Sequence, residues 1–158
     1  MTSDKQAKTG AGRQVMSDQR ETNPPKEVSR EVSEQAKVKA SSYKDLLVWQ
    51  KGMKLVKEIY RITRTFPADE RFGLVSQMRR AAVSVPSNIS EGQARRSTTE
   101  FIQFISQAEG SVAELDTQLI LAFELGYCPV GEAAPAMELI SELKKMLNSL
   151  RRTLLKLK

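Results

Sequence analysis

Apolar residues recur at alternating spacings of three and four along most of the chain after residue 42, and this regularity constrains the fold more than any other feature. Such spacing gives a helix one apolar face, which must be buried against a partner. A repeat close to 3.5 residues also favours helices that cross at shallow angles. We therefore predict an all-α protein, an antiparallel up-and-down four-helix bundle. In the first helix the marker positions are Tyr43, Leu46, Trp49, Met53, Val56, Tyr60 and Thr63, beside a second stripe of Val48, Leu55, Ile59, Ile62 and Phe66. Those of the second helix are Val75, Met78, Ala82, Val85 and Ile89, and those of the third are Phe101, Ile105, Ala108, Val112, Leu115, Leu119 and Ala122. Those of the fourth are Leu139, Leu143, Met146, Leu150, Leu154 and Leu157.

The ends of these helices are predicted from residues that stop a helix or satisfy its free backbone groups. The first helix should end before Pro67, because the residue preceding a proline avoids the α region. Asp69 is the predicted N-cap of the second helix. Ser97 and Glu100 have the spacing of a capping box at the start of the third helix, and Gly126 has the position of its C′ residue.

The first 42 residues have a different composition from the rest. They contain no aromatic residue and few large aliphatic ones. Such a segment cannot bury enough apolar surface to offset the entropy of ordering it. We predict a disordered N-terminal extension over residues 1–42, followed by a single bundle domain over residues 43–158.

The residue types present argue against an enzyme. The chain has no histidine and a single cysteine, Cys128. It therefore lacks the commonest general base and metal ligand, and a lone cysteine builds neither an intramolecular disulfide nor a zinc site. Glycine-rich phosphate-binding and nucleophile motifs are also missing. We therefore expect a non-enzymatic protein with no catalytic residue, metal or cofactor. Since no apolar run approaches the roughly 20 residues of a membrane span, we also expect the protein in the cytoplasm without a membrane partner.

Charge is distributed unevenly along the chain. Residues 97–143 contain eight acidic and no basic residues, whereas residues 144–158 contain six basic and no acidic ones. One interpretation is that the acidic third helix pairs with basic neighbours, which favours one topology at little gain per exposed pair. The other is that the basic residues bind phosphates, because six cations exceed what a helix C-terminus rewards. The candidate nucleic-acid-binding residues are Lys144, Lys145, Arg151, Arg152, Lys156 and Lys158, together with Arg79, Arg80, Arg95 and Arg96.

The outward face of the third helix is small and partly apolar. A mid-helix glycine costs about 1 kcal/mol relative to alanine, so Gly110 is expected where another helix comes close. We interpret this face as a contact between subunits of a homo-oligomer. The candidate interface residues are Ile102, Ser106, Gly110, Thr117 and Leu121.

Several ordered motifs lie between Tyr43 and Tyr127. They are Leu-Val-Trp-Gln-Lys at 47–51, the run from Phe72-Gly73-Leu74-Val75-Ser76-Gln77-Met78-Arg79-Arg80 to Asn88-Ile89-Ser90-Glu91-Gly92, then Glu100-Phe101, Ala108-Glu109-Gly110-Ser111 and Glu114-Leu115. In these motifs the chain resembles the four-helix-bundle family of 23S ribosomal RNA intervening-sequence proteins. The N-terminal extension departs from the compact pattern of that family.

The resemblance implies an antiparallel bundle that assembles into a pentamer and has no established catalytic residues. Some members are encoded within insertions in 23S ribosomal RNA genes. A related branch serves diversity-generating retroelements, in which it binds a reverse transcriptase and RNA through a basic oligomeric surface.

Two functional hypotheses follow. The first is a non-enzymatic, oligomeric helical scaffold that binds RNA or a ribonucleoprotein through basic surfaces, with a reverse transcriptase or another protein as a further expected partner. The alternative is a protein-only adaptor or assembly module without nucleic-acid binding. Salt distinguishes them, because binding through phosphates weakens steeply as the salt concentration rises.

Overall fold

The structure, a computed structural model, describes residues 42–158 as four α-helices joined by short turns. The helices are α1 (Leu47–Ile62), α2 (Leu74–Gln93), α3 (Thr98–Glu124) and α4 (Val130–Lys156). Short 3₁₀ turns occupy Tyr43–Asp45, Thr63–Thr65 and Ala68–Arg71. Residues 42–158 contain no strand, and the predicted all-α bundle is confirmed.

The four helices form a closed ring in cross-section. Each packs against its neighbours in sequence, and α4 closes the ring by packing against α1. Two ion pairs, Lys144 with Asp116 and Arg151 with Glu109, record the register between α3 and α4. Seven residues forward along α4 correspond to seven residues backward along α3, as antiparallel helices require. The topology is therefore the predicted up-and-down arrangement.

The apolar stripes predicted for α2 and α3 and the second stripe predicted for α1 are buried at every position, whereas the first stripe of α1 and the stripe of α4 are buried only in part. In α1 the second stripe, which includes Leu55 and Ile59, forms the centre of the core, while Trp49 and Val56 of the first stripe are half-buried. Each fully buried Leu or Ile side chain contributes about 1.5–3 kcal/mol. The face of α1 that α2 and α4 cover together therefore contributes to stability through its fully buried side chains.

In α4 the predicted Leu143 and Leu154 are fully buried, but two other core positions lie one residue beyond the predicted ones. Ile140 and Leu147 are fully buried, whereas Leu139 and Met146 are half-buried. Both pairs are apolar and adjacent, so the spacing alone did not decide which of them faces the centre.

The start of α2 differs from the prediction. Asp69 lies in the 3₁₀ turn Ala68–Arg71, and α2 begins only at Leu74. Glu70 provides the cap, since its Oε2 accepts a hydrogen bond from the Leu74 amide at 2.9 Å. Its Oε1 accepts another from the Tyr127 hydroxyl at 3.1 Å. The prediction of Asp69 as N-cap is wrong, because the tight turn directs the next carboxylate towards the free amide.

The predicted ends of α3 are confirmed. Ser97 is the N-cap, and its Oγ accepts from the Glu100 amide at 3.2 Å. The Ser97 hydroxyl also donates to the Glu100 carboxylate at 2.7 Å. At the other end Gly126 has a φ of 74°, and the Tyr127 amide donates to the Ala122 carbonyl at 2.9 Å. This is a Schellman motif, in which glycine adopts the left-handed conformation at no steric cost.

Gly92 fixes the approach of α2 to α3. A Cβ at this position would lie 2.7 Å from Cδ2 of Phe101 and 2.7 Å from Cβ of Phe104. Carbon atoms in contact are normally about 3.5–4.0 Å apart, so the close crossing requires glycine. The crossing brings the end of α2 and its following loop against the first turns of α3.

Within residues 42–158, no helix has the combination of length and apolar character that a membrane span requires. The predicted disordered extension over residues 1–42 lies, apart from Ser42, outside the described residues.

Candidate nucleic-acid interface

Five of the ten candidate nucleic-acid-binding residues lie in the half of the bundle that contains the α2–α3 loop and the C-terminus of α4. Because neighbouring helices are antiparallel, the loop after α2 and the last turns of α4 lie at the same end. We call this surface the basic end, and it consists of Arg95, Arg96, Arg152, Lys156 and Lys158. Arg79 and Arg80 lie in the first half of α2, about 20 Å away along that helix.

Two other predicted residues of α4 face α3 and form ion pairs there. Lys144 pairs with Asp116, and Arg151 pairs with Glu109 at 3.0 Å. Arg151 also donates to the amide oxygen of Asn148. The positive charge of these two side chains is compensated within the bundle, which agrees with the interpretation that the acidic α3 pairs with a basic neighbour.

The remaining basic residues near the end of α4, together with Lys145 and Arg96, are directed outward. Lys145, Arg152, Lys158 and Arg96 are exposed, and none of them forms an ion pair with another residue in the described part of the chain. Lys156 is exposed as well. A cation without a nearby carboxylate keeps its full attraction for a phosphate. Lys145, Arg152, Lys158 and Arg96 are therefore the stronger candidates for a polyanion contact.

Arg95 connects the basic end to the packing of the helices. It forms an ion pair with Glu91, and its guanidinium carbon lies 4.9 Å from the ring centroid of Phe104. Phe104 is one of the two aromatic residues that pack against Gly92 where α2 and α3 approach each other. The close helix crossing thus positions the loop that carries Arg95 and Arg96.

A second basic surface is the α1–α2 groove, an open depression of about 460 Å³ between these two helices. Its lining combines two aromatic rings, three arginines and three small or aliphatic residues, namely Tyr60, Phe72, Arg71, Arg79, Arg80, Val75, Ser76 and Val83. No carboxylate lines it. The groove brings Arg79 and Arg80 of the predicted set together with aromatic side chains.

Arginines accompany both rings of the groove. The Arg79 guanidinium lies 4.6 Å from the Tyr60 ring centroid, and its Nε donates to Thr63 Oγ1 at 2.9 Å. Arg71 lies 5.5 Å from the ring centroid of Phe72, which is 88% exposed. Arg79 is thus anchored in the fold, while Phe72 projects from the turn before α2.

The predicted oligomer interface lies on the outward surface of α3. Ser106, Gly110, Thr117 and Leu121 are all exposed, whereas Ile102 is half-buried and packs against the core. Nothing lies within 4 Å of a Cβ built on Gly110, so within the described residues no helix of the same chain approaches it. Within the bundle it is Gly92 that allows α2 and α3 to approach each other closely.

An apolar patch adjoins this face at the opposite end of the bundle from the basic end. It consists of Ile120, Phe123, Val130 and Met137, which are 45–55% exposed. They border a cavity of about 110 Å³ between α3 and α4. With Leu121 beside it, the patch extends the predicted interface towards the α3–α4 loop.

Two titrating groups near the α3–α4 loop are perturbed. The hydrogen bond to Glu70 raises the pKa of Tyr127, and burial raises it further. Burial is also the main cause that raises the pKa of the Cys128 thiol, followed by the charge of Glu132. A buried thiol that stays protonated at neutral pH is a poor nucleophile. Among residues 42–158, no three His, Cys, Asp or Glu side chains are grouped so as to hold a metal ion.

Sequence reasoning missed Tyr60 and Phe72 as surface residues. Tyr60 belongs to the first predicted stripe of α1, and Phe72 precedes Val75 by three residues, so both have the spacing of a buried face. The spacing gave no signal of this exposure, because the 3₁₀ turn that removes Phe72 from the helical register becomes visible only in the structure.

The fold and its surfaces define a class of protein: a small antiparallel four-helix bundle with basic surfaces. Comparison with protein-family models identifies the family, since the model described as 23S rRNA-intervening sequence protein matches residues 44–149. The chain belongs to this family, and the match covers α1, α2, α3 and most of α4. A search of curated proteins found no match.

Proposed function

We propose that the chain is a non-enzymatic, homo-oligomeric helical scaffold that binds RNA through phosphate contacts at the basic end. The observation that carries the proposal is the division of charge on α4. Lys144 and Arg151 are compensated by α3, whereas Arg152 and Lys158 near the C-terminus of α4 are exposed and form no ion pair within the described residues, as is true of Arg96 in the loop after α2. Ion pairing between α3 and α4 explains why Lys144 and Arg151 are basic, but it gives no reason for the positive charges of Arg152, Lys158 and Arg96.

Phosphate contacts suit this surface better than base recognition. The basic end consists of arginines and lysines on helix ends and a loop, and phosphate contacts supply affinity without reading sequence. We expect binding that depends on salt and is general across RNA sequences.

The test is a salt-resolved RNA titration of the wild type and a triple variant, Arg96→Gln, Arg152→Gln and Lys158→Gln. All three side chains are exposed, so glutamine should leave the fold intact. Affinity should fall, and the slope of log affinity against log salt should become shallower. For each phosphate that the variant no longer neutralises, the slope should change by up to about 0.9 on a duplex and about 0.7 on a single strand.

A charge-matched control is Lys54→Gln, Lys57→Gln and Arg64→Gln, which removes three exposed cations from α1 and the turn after it. This control should change the affinity and the salt slope less than the triple variant does. Equal losses for the two variants would mean that net charge alone, and not the basic end, governs binding. Absence of RNA binding by the wild type at about 50 mM salt would refute the proposal and favour the protein-only adaptor.

We propose further that the outward face of α3 joins the subunits, of which the family resemblance implies five. The exposed stripe of Ser106, Gly110, Thr117 and Leu121 and the adjoining apolar patch support this assembly surface. A contiguous exposed apolar patch of this kind marks an interaction site more often than scattered single residues do.

Gly110→Leu tests the assembly surface. Because a side chain at this position meets nothing in its own chain, the variant should keep its helix content while the oligomer becomes smaller in light scattering. Ser149→Leu, an exposed change on α4, is the control and should leave the size unchanged. An oligomer of wild-type size in the Gly110→Leu variant would exclude this face as the interface.

A further inference from the structure

We propose that the α1–α2 groove binds an unpaired RNA base, which stacks on Phe72 while Arg80 and Arg71 contact the neighbouring phosphates. The inference rests on the proposed function, because it names the form of RNA that the protein prefers and a second site for it. It concerns a different surface, about 20 Å along α2 from the basic end. The two sites can therefore be altered independently.

Phe72 has the exposure that a stacking platform needs. It is 88% exposed and projects from the turn before α2, so its ring contributes little to the core. The Arg71 guanidinium lies 5.5 Å from the centroid and leaves most of the ring accessible. Single-stranded RNA is recognised by bases that stack on such rings and on guanidinium planes.

Tyr60 and Arg79 form a preorganised floor beside this platform. Arg79 is fixed both by Tyr60, 4.6 Å away, and by its hydrogen bond to Thr63. Tyr60 is 41% exposed, so part of its ring remains open to the groove. A rigid aromatic surface loses little conformational entropy when a base settles on it.

The charge of the groove selects a polyanion. Its three charged side chains are all arginines, no carboxylate lines it, and Arg80 forms no ion pair within residues 42–158. An exposed phenylalanine alone would equally suit an apolar protein anchor. Three uncompensated guanidinium groups around two rings instead match a chain that alternates flat bases with phosphates. A duplex keeps its bases stacked inside the helix and cannot place one on Phe72.

The experiment compares a fluorescein-labelled oligouridylate with an RNA duplex of equal length, by fluorescence anisotropy at about 50 mM salt. Phe72→Ala should weaken binding of the single strand by on the order of tenfold and leave duplex binding unchanged. Leu125→Ala, which truncates another exposed side chain at the end of α3, is the matched control and should change neither.

Two further variants separate stacking from apolar contact. Phe72→Trp should preserve or increase the affinity for the single strand, whereas Phe72→Leu should lose about as much as Phe72→Ala. Ultraviolet crosslinking of an oligonucleotide that contains 5-iodouridine should attach it to the peptide that carries Phe72 or Tyr60.

The outcomes distinguish this proposal from the preceding one. If Phe72→Ala binds both probes as the wild type does, while the basic-end triple variant loses affinity, the groove is excluded and the proposed function stands. Full affinity in Phe72→Leu would show an apolar contact of the kind a protein partner makes, and would overturn stacking. If the wild type binds neither probe, both proposals fail.

Discussion

Replacing Gly92 with alanine should destabilise the bundle, although alanine is the better helix former. The new methyl group would lie 2.7 Å from a ring carbon of Phe101 and 2.7 Å from Cβ of Phe104. The ring of Phe101 can rotate away, but Cβ of Phe104 is attached to the backbone of α3. Relief of this contact therefore requires the two helices to separate by nearly 1 Å, to reach the usual distance of about 3.5–4.0 Å.

The magnitude follows from two opposing effects. Overpacking of this kind costs about 1–3 kcal/mol. Alanine recovers at most about 1 kcal/mol of helix propensity, and less here because Gly92 is the penultimate residue of α2. The net loss should be about 1–2 kcal/mol, which for a domain of this size lowers Tm by about 4–8 °C.

Thermal unfolding followed by circular dichroism measures this loss. Gly131→Ala is the control, since a Cβ at this position near the start of α4 meets nothing within 4 Å. Its Tm should stay unchanged or rise slightly. If the Tm of the Gly92→Ala variant equals or exceeds that of the wild type, α2 and α3 are not held at so close a distance. Gly92 would then not position Arg95 and Phe104 either.

Three other predictions concern stability. Because the pKa of Tyr127 is raised in the folded state, its hydrogen bond to Glu70 stabilises the fold below pH 10, and this stabilisation is lost as the pH rises through the pKa of the folded state. Unfolding measured as a function of pH should therefore show a loss of stability above pH 10 in the wild type, and Tyr127→Phe should abolish that loss. Removal of residues 1–41 should leave Tm nearly unchanged, because that segment has no aromatic and few apolar residues, and a large drop would show that it packs on the bundle. Lys144→Gln should cost at most about 1 kcal/mol in denaturant unfolding, because its pair with Asp116 is exposed; the salt slope of RNA binding should not change.

The number of helices and the core faces of α2 and α3 could be predicted because each has one continuous apolar stripe. In α1 and α4 two apolar stripes lie side by side, and their periods are the same. Which of them becomes fully buried depends on the positions of the neighbouring helices. For this reason Trp49 and Met146 are only half-buried, although their spacing matches that of Leu55 and Ile140.

The cap of α2 was missed for a different reason. Both Asp69 and Glu70 are acidic residues in the right region, and the sequence favours aspartate as an N-cap. The 3₁₀ turn delays the helix until Leu74, which brings the longer Glu70 side chain within 2.9 Å of the free amide. The same turn removes Phe72 from the helical pattern and exposes it. One local change of backbone geometry thus hid both the cap and an aromatic surface residue from a prediction based on periodicity.

The sequence could predict which residues are basic but not which of them pair with α3 and which project outward, because this depends on the register between α3 and α4. Lys144 and Lys145 are adjacent, as are Arg151 and Arg152, yet one member of each pair faces an acid on α3 while the other projects outward. Successive helical residues differ by about 100° in direction, so two neighbours cannot both face the same helix. The two interpretations of the charge pattern are therefore not exclusive. Compensation by α3 accounts for Lys144 and Arg151, whereas Lys145 and Arg152 lie outside that register and remain available for the proposed contact with phosphates.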